Sequence, residues 1–335
     1  TLMGQAGDDS LTGSLGSDKI YGGDDSSDSG VDTVDYTDAL EKLTIDLDLA
    51  ATGGLATDGS IEGKSVGSTG AQGQGVDELY GIENIIGSDF AQDTIYGNDS
   101  KNILRTQGSD DYIEARDGND TIEAGTQNDT IVATSANDGV DYYDGGEDSD
   151  TLDYSALDST NRINLDLSTA ATVDFDGTGG NDSWEVDVAN GDNDIVKEVE
   201  NIIGTKGDDT ITANAASNEI QGGAGEDTLS GNDGIDTIYG FTKGQSETTT
   251  QNDTVSYSYL TSKTANIDLD AGTATDAEFR AAVMDAIKSG QRVAITDGEK
   301  LIGVAMNGFD TRRLHTFDDR AKEKLTWPRP GDVEL

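Results

Sequence analysis

The sequence predicts an all-β solenoid, short parallel strands stacked on copies of themselves, with a small α+β unit at its C-terminal end. Three observations carry this expectation. The first is a nine-residue period in which Asn84, Asp93, Asn102, Asp111, Asp120 and Asp129 share one register, each followed two places on by an aliphatic: Ile86, Ile95, Leu104, Ile113, Ile122 and Ile131. The second is what lies between them, small and turn-forming residues such as Gly97-Asn98-Asp99-Ser100 and Ala115-Arg116-Asp117-Gly118-Asn119, so that three residues of strand alternate with about six of turn. A strand that short cannot bury a face alone and needs its own repeats as neighbours. The third is the absence of a sustained helical period before the last sixty or so residues.

Composition narrows the function. The 335 residues carry 67 Asp and Glu against 21 Lys and Arg, a net charge of −46, with 33% hydrophobic residues, 43 Gly and 2 Pro. Taken without its periodicity, such a chain reads as disordered, because self-repulsion opposes compaction. Divalent cations with oxygen ligands are the natural remedy, and carboxylates with turn carbonyls are the donors that calcium prefers. A nucleic-acid partner is disfavoured, since phosphate contacts need a basic surface. No apolar run is long enough to span a membrane. Without cysteine there are no disulfides and no thiolate metal sites. The chain carries no N-terminal signal peptide and opens within a repeat, at Thr1-Leu2-Met3-Gly4, so it is expected to be the C-terminal piece of something longer.

In chain order, the first repeats are Gly4 to Leu11 and Gly13 to Ile20, with Asp9 and Asp18 at the acidic position. An acidic insertion, Asp24 to Ser29, breaks the register, which resumes at Asp32-Thr33-Val34-Asp35-Tyr36. That pentad recurs as Asp150-Thr151-Leu152-Asp153-Tyr154 and Asp253-Thr254-Val255-Ser256-Tyr257, marking a larger repeat. After each comes an alternating strand: Leu43 to Asp48, Ile163 to Leu167, and Ala265 to Asp270. The polar loops Gly53 to Gly75 and Asp174 to Asn193 have no strand signal that we read, and re-entry segments follow at Ile82-Glu83-Asn84-Ile85-Ile86 and Val199-Glu200-Asn201-Ile202-Ile203. Shorter insertions, Ser135 to Asp138 and Thr242 to Gln251, fall where edge turns should be. The expected divisions are residues 1–80, 81–195 and 196–276, three runs of repeats with their strand and loop insertions, and 277–335, the α+β tail.

The best copies of the short repeat are Gly222-Gly223-Ala224-Gly225-Glu226-Asp227-Thr228-Leu229-Ser230 and Gly231-Asn232-Asp233-Gly234-Ile235-Asp236-Thr237-Ile238-Tyr239. They follow the Gly-Gly-x-Gly-x-Asp-x-aliphatic-x pattern, and over residues 1–275 the chain resembles the RTX family, the hemolysin-type calcium-binding repeats of type I secreted bacterial proteins. The resemblance implies a parallel β-roll, a right-handed β-helix in which two nonads make one turn. It implies calcium in the turns, held by the repeat aspartates and by backbone carbonyls of turns stacked on the same edge. Partners are then 18 residues apart: Asp93, Asp111 and Asp129 on one edge, Asn102 and Asp120 on the other, Asp209 with Asp227, and Asn218 with Asp236. Asp9, Asp18, Asp32, Asp141 and Asp150 join them as expected ligands, and Gly108, Gly118, Gly207, Gly222, Gly225, Gly231 and Gly234 as expected metal-site residues of the turns. Asn102 and Asn218 lack the charge of Asp and are expected to weaken the ion there. The resemblance further implies several Ca2+ ions as the cofactor, the type I secretion machinery as a partner, and a secreted or cell-surface location.

Catalysis has little support, and no catalytic residue is expected. His315 is the sole histidine, which leaves serine-triad, His-Glu-x-x-His and zinc-cluster arrangements incomplete. Trp184 and Trp327 read as packing anchors, with Trp184, in a polar loop, the better placed of the two to act as a sugar platform. The tail is near charge balance, 10 basic and 9 acidic residues over 279–335, so the acidic excess belongs to the repeats. It reads as a helix from a capping box at Thr275 to Glu278 up to Gly290, then two strands, Arg292 to Thr296 and Leu301 to Met306, joined at Asp297-Gly298, and a second helix over Thr311 to Leu325. The stretch Glu278 to Ala305 is similar to prevent-host-death antitoxins, which implies a dimerisation unit; its position near the end instead fits a secretion signal or an end cap for the roll. For the whole chain, the leading expectation is a calcium-binding module that folds after export. The alternative is the glycan- or surface-binding end of an adhesin or carbohydrate-active enzyme, its long loops touching polysaccharide or a cell surface.

Overall fold

The computed structural model describes residues 1–13, 16–23, 30–47, 62–67, 76–136, 139–169, 171–173, 182–189, 191–232, 236–242, 253–255, 264–268, 292–297 and 300–306. These residues form strands and turns, with no helix among them. Two sheets face each other. The first has 15 strands in the order Leu2–Gln5, Lys19–Gly23, Val76–Tyr80, Glu62–Gly67, Leu43–Asp46, Thr94–Tyr96, Tyr112–Glu114, Thr130–Val132, Thr151–Asp153, Asn201–Ile203, Glu219–Gln221, Thr237–Tyr239, Thr264–Asp268, Arg292–Asp297 and Lys300–Met306. The second has 12, in the order Ser10–Thr12, Thr33–Asp35, Asn84–Ile86, Ile103–Arg105, Thr121–Thr126, Tyr142–Glu147, Asp194–Lys197, Trp184–Val188, Ile163–Asp166, Thr210–Thr212, Thr228–Ser230 and Thr254–Val255. Consecutive nonads alternate between the sheets, and strands two nonads apart pair in parallel, as in Ile113↔Ile131 and Leu104↔Ile122. This is the stacked solenoid that the nine-residue period predicts, in the parallel β-roll form that the family resemblance implies.

Each three-residue strand turns only its middle side chain inward. Ile95, Leu104, Ile113, Ile122, Ile131, Ile211, Ile220 and Leu229 are all fully buried, and together they build one apolar column between the sheets. The flanking residues point outward, where the few basic side chains form ion pairs: Arg105 with Glu123 at 2.8 Å, Arg116 with Asp46 at 2.7 Å and Lys197 with Asp144 at 3.0 Å.

The re-entry register differs from the sequence expectation. Ile85, not Ile86, pairs with Leu104 and is fully buried, and Asn84 stands opposite Ile103. The acidic position of that nonad is therefore Glu83, and the turn from it to Asp93 holds one extra residue. The run of nines is unbroken only from Asp93 onward. Period alone could not decide this, because Ile85 and Ile86 are both aliphatic and only packing chooses between them.

The long loops also contain strands that periodicity did not disclose. Glu62–Gly67 lies antiparallel between Leu43–Asp46 and Val76–Tyr80, and Trp184–Val188 lies antiparallel between Ile163–Asp166 and Asp194–Lys197. Each of the first two large repeats thus inserts a three-strand meander into an otherwise parallel sheet. Trp184 is in a strand rather than a loop; it packs against the core, and its indole N–H donates to Thr169 O at 3.1 Å. In the tail, Arg292–Asp297 and Lys300–Met306 form the expected antiparallel hairpin, and its first strand pairs in parallel with Thr264–Asp268, extending the first sheet. The two tail helices, His315 and Trp327 lie outside the described residues.

Ile113 sits mid-column with no exposure, so Ile113→Ala is expected to destabilise the folded chain by about 2–5 kcal/mol. Urea unfolding at saturating calcium checks this; a loss below about 1 kcal/mol would show that the column is not the core.

Candidate metal centre

The repeat aspartates are not solvent-facing turn residues. Asp32, Asp93, Asp111, Asp120, Asp129, Asp141, Asp150, Asp209, Asp227 and Asp236 are buried, as are Asn102 and Asn218, while Asp9 and Asp18 are partly buried. Each stands at the end of a turn, immediately before a strand, and points along the stack. The Asp93 N–H donates to Asp111 Oδ1 at 2.6 Å, the Asp111 N–H to Asp129 Oδ1 at 2.7 Å, and the Asp129 N–H to Asp150 Oδ1 at 2.8 Å. The other edge runs from Asn102 to Asp120 (2.7 Å) to Asp141 (2.8 Å). Further along, Asp209 donates to Asp227 and Asn218 to Asp236. The predicted pairings at a spacing of 18 therefore meet as expected. Insertions only stretch the spacing: it becomes 21 from Asp120 to Asp141, 23 from Asp9 to Asp32, and 26 from Asp227 to Asp253.

Asp suits the position because its side chain is just long enough for one oxygen to reach the N–H of the preceding turn. In several turns the other oxygen folds back over the start of its own turn, close to a glycine that leaves it room. A Cβ on Gly222 would lie 2.3 Å from Asp227 Oδ2, and one on Gly231 the same distance from Asp236 Oδ2. Stacked turns approach as closely. A Cβ on Gly225 (φ +135°) would lie 2.3 Å from Gly207 O, one on Gly207 1.9 Å from Asn161 O, and one on Gly118 2.8 Å from Ser100 O. Gly108 bridges to Thr126 within the same stack. Gly234 lies outside the described residues.

The sequence reading missed several members of the ladder. Asp18 donates to Asp77, Asp141 to Asp194 and Asp227 to Asp253, while Asp32 and Asp150 donate to the carboxylates of Glu83 and Glu200. Asp77, Asp194 and Asp253 each precede an aliphatic by two residues (Leu79, Val196, Val255), the signal already used elsewhere. Their distance from the regular nonads hid them.

The second carboxylate oxygen separates the rungs into kinds. In Asp9, Asp111, Asp129, Asp150 and Asp227, Oδ2 is buried with no hydrogen-bond partner. In Asp93 it accepts the Ser88 N–H at 2.7 Å, and in Asp209 the Thr205 N–H at 2.7 Å. In Asp77, Asp141 and Asp194 it accepts a tyrosine hydroxyl, from Tyr36 (2.8 Å), Tyr143 (2.9 Å) and Tyr154 (2.9 Å). Burial, reinforced by neighbouring carboxylates and only partly offset by ladder N–H groups, pushes Asp111 and Asp227 up to about 8 and Asp129 and Asp150 up to about 7. Asp209, more fully hydrogen-bonded, is pushed up to about 6.

Bare, buried carboxylate oxygens beside stacked backbone carbonyls are an all-oxygen donor set. It fits a hard cation, and the flexible, many-ligand geometry of calcium suits it better than the strict octahedron of magnesium. Among the described residues no three His, Cys, Asp or Glu side chains converge on one point. An ion here would therefore take ladder carboxylates together with turn carbonyls.

The raised carboxyls have a consequence for the metal-free chain. A buried carboxyl whose folded pKa lies above its unfolded value of about 4 makes the folded state bind more protons. Its stabilisation is present below about pH 4 and is lost as pH rises through the folded pKa values of about 7 to 8. In chelator, the melting temperature is expected to fall steadily between about pH 5 and pH 8, and calcium should flatten that slope. A melting temperature in chelator that does not change over this range would contradict the burial described.

The family model of the RTX calcium-binding nonapeptide repeat matches this chain in four copies, over residues 1–27, 96–131, 117–152 and 200–240. No curated protein matches the chain. The matched segments coincide with stacked nonads and their aspartate ladders, so the chain contains RTX-type calcium-binding nonapeptide repeats, stacked here as a β-roll.

Proposed function

We propose that this chain is the calcium-responsive folding module of a secreted bacterial protein, exported through a type I system and ordered outside the cell when calcium fills its turns. The observation that carries the reading is the set of bare, buried oxygens on Asp111, Asp129, Asp150 and Asp227. An ionised carboxylate stripped of water and left without a donor is strongly unfavourable, so near neutral pH the roll needs a proton or a metal ion at those rungs. Cytosolic calcium is too scarce for sites of the affinity usual in extracellular modules, about 10⁻⁴ to 10⁻³ M. The chain would then stay extended until exported, and the free energy of ion binding would appear as free energy of folding. Several ions follow from several bare rungs. The proposed units are three runs of repeats, over 1–80, 81–195 and 196–276, and an end unit whose hairpin at Arg292–Met306 extends the first sheet.

The competing reading, a glycan- or surface-contacting end, has weaker support. Trp184 is occupied in packing. Beside it lies a cavity of about 230 Å³ lined by Asp182, Lys197, Glu198 and Asn214 among others, and this is where a sugar would have to sit. A glycan array on the calcium-loaded protein separates the two, since reproducible binding abolished by Trp184→Ala would favour this second reading.

For the folding module the expected result is loss of the β signal in circular dichroism after exhaustive chelation at about pH 7.5. Calcium at about 1–10 mM should restore it, and equal magnesium should not. Full β signal in chelator, or full rescue by magnesium, would overturn the proposal. Asp111→Asn combined with Asp129→Asn should raise the calcium concentration needed for half-folding several-fold.

A further inference from the structure

Where the meanders rejoin the roll, the ladder is closed differently from its regular nonads. At each return, a tyrosine from the larger repeat supplies the missing donor. Tyr36, last residue of Asp32-Thr33-Val34-Asp35-Tyr36, donates to Asp77 Oδ2 at 2.8 Å, and Tyr154, last residue of Asp150-Thr151-Leu152-Asp153-Tyr154, donates to Asp194 Oδ2 at 2.9 Å. The two bonds span 41 and 40 residues, and both tyrosines are buried. The next step on the ladder is also doubled. Glu83 and Glu200 take the acidic position, and 18 or 19 residues on stands an asparagine rather than an aspartate. Asn102 Nδ2 donates to Glu83 O at 2.7 Å, and Asn218 Nδ2 to Glu200 O at 2.6 Å. Each amide also leans on an asparagine four residues before it, Asn98 or Asn214.

We infer that these joints are calcium-independent rungs, in which a side-chain O–H or N–H takes the place that the ion holds at the bare rungs, so that Asn102 and Asn218 are not metal ligands. The argument is one of donors and acceptors. A cation needs oxygen lone pairs, and at the joints most of the oxygens already accept a hydrogen bond, whereas the second carboxylate oxygens of the bare rungs accept none. The Glu83 and Glu200 carbonyls each hold an amide N–H, the second oxygens of Asp77 and Asp194 each hold a hydroxyl, and Asn102 Oδ1 holds the Asn98 N–H at 2.8 Å. The buried atom left without a partner at the first joint is Asn98 Nδ2, an N–H group that repels a cation. At the second it is Asn218 Oδ1, one neutral oxygen against the ionised oxygen of each bare rung. The tyrosine-to-carboxylate and asparagine-to-carbonyl contacts recur in two copies more than a hundred residues apart, which is hard to assign to chance packing. They give the roll fixed points that do not wait for calcium, at the places where the longest loops must close.

This inference rests on the calcium reading above, and its tests fail separately. In crystals grown with calcium, the anomalous map of the unmodified protein should show ions beside Asp111, Asp129 and Asp227. No ion should lie within about 2.6 Å of an oxygen of Asn102 or Asn218. An ion ligated by either asparagine overturns the inference alone, whereas a map with no ions anywhere overturns the calcium reading first. In solution, bound calcium is counted by equilibrium dialysis. N102A with N218A should bind as many ions as the unmodified chain, and a lower count overturns the inference. Should that variant fail to fold, N102D with N218D supplies the contrary test. Bare carboxylates at the joints should raise the calcium count and the calcium needed for half-folding at least two-fold; a variant unchanged in both would sink the idea.

Discussion

A column of carboxylates inside a protein must be compensated, and the rest of this structure follows from how that is done. A ladder aspartate gives one oxygen to the N–H of the turn stacked before it, as at Asp111 and Asp129. That bond sets the spacing of the turns and hence the register of the strands that follow. It satisfies half of each side chain. The other half decides whether a rung stands on hydrogen bonds alone or needs a counter-ion, and so where the fold answers to its surroundings.

The apolar column and the carboxylate ladders divide the work. One inward aliphatic per strand buries too little surface to offset the ordering of nine residues, which is why the roll depends on its edges as much as on its core. The glycines serve those edges. At Gly222 and Gly231 the constraint is space for the folded-back carboxylate, and at Gly225 it is both close backbone approach and a left-handed φ. Among the described residues, the side chains of Lys19, Arg105, Arg116 and Lys197 form ion pairs with carboxylates outside the ladders.

Insertions show how tolerant this plan is. Three extra residues before Asp141, eight before Asp253 and whole meanders before Asp77 and Asp194 all leave the ladder intact. The last residue of each turn returns to the same place, because the carboxylate-to-N–H bond constrains that residue. The larger repeat, with its terminal tyrosine, marks the sites of greatest chain excursion.

The sequence by itself determined the period, the class of fold and the inward aliphatics from Ile95 onward, because a nine-residue repeat of Asp-x-aliphatic admits few other ways to bury its apolar residues; the stacking partners 18 residues apart followed from the family resemblance. It also held the signal for Asp77, Asp194 and Asp253, and the alternation of Trp184-Glu185-Val186-Asp187-Val188, although neither stood out from an acidic, glycine-rich background. Only the tertiary structure decided that Ile85 rather than Ile86 faces inward, that Glu62–Gly67 is a strand, and that the second oxygen of one aspartate is bare while that of another is held by a tyrosine forty residues away. Those choices depend on contacts between segments far apart in the chain, whose distances no local pattern encodes.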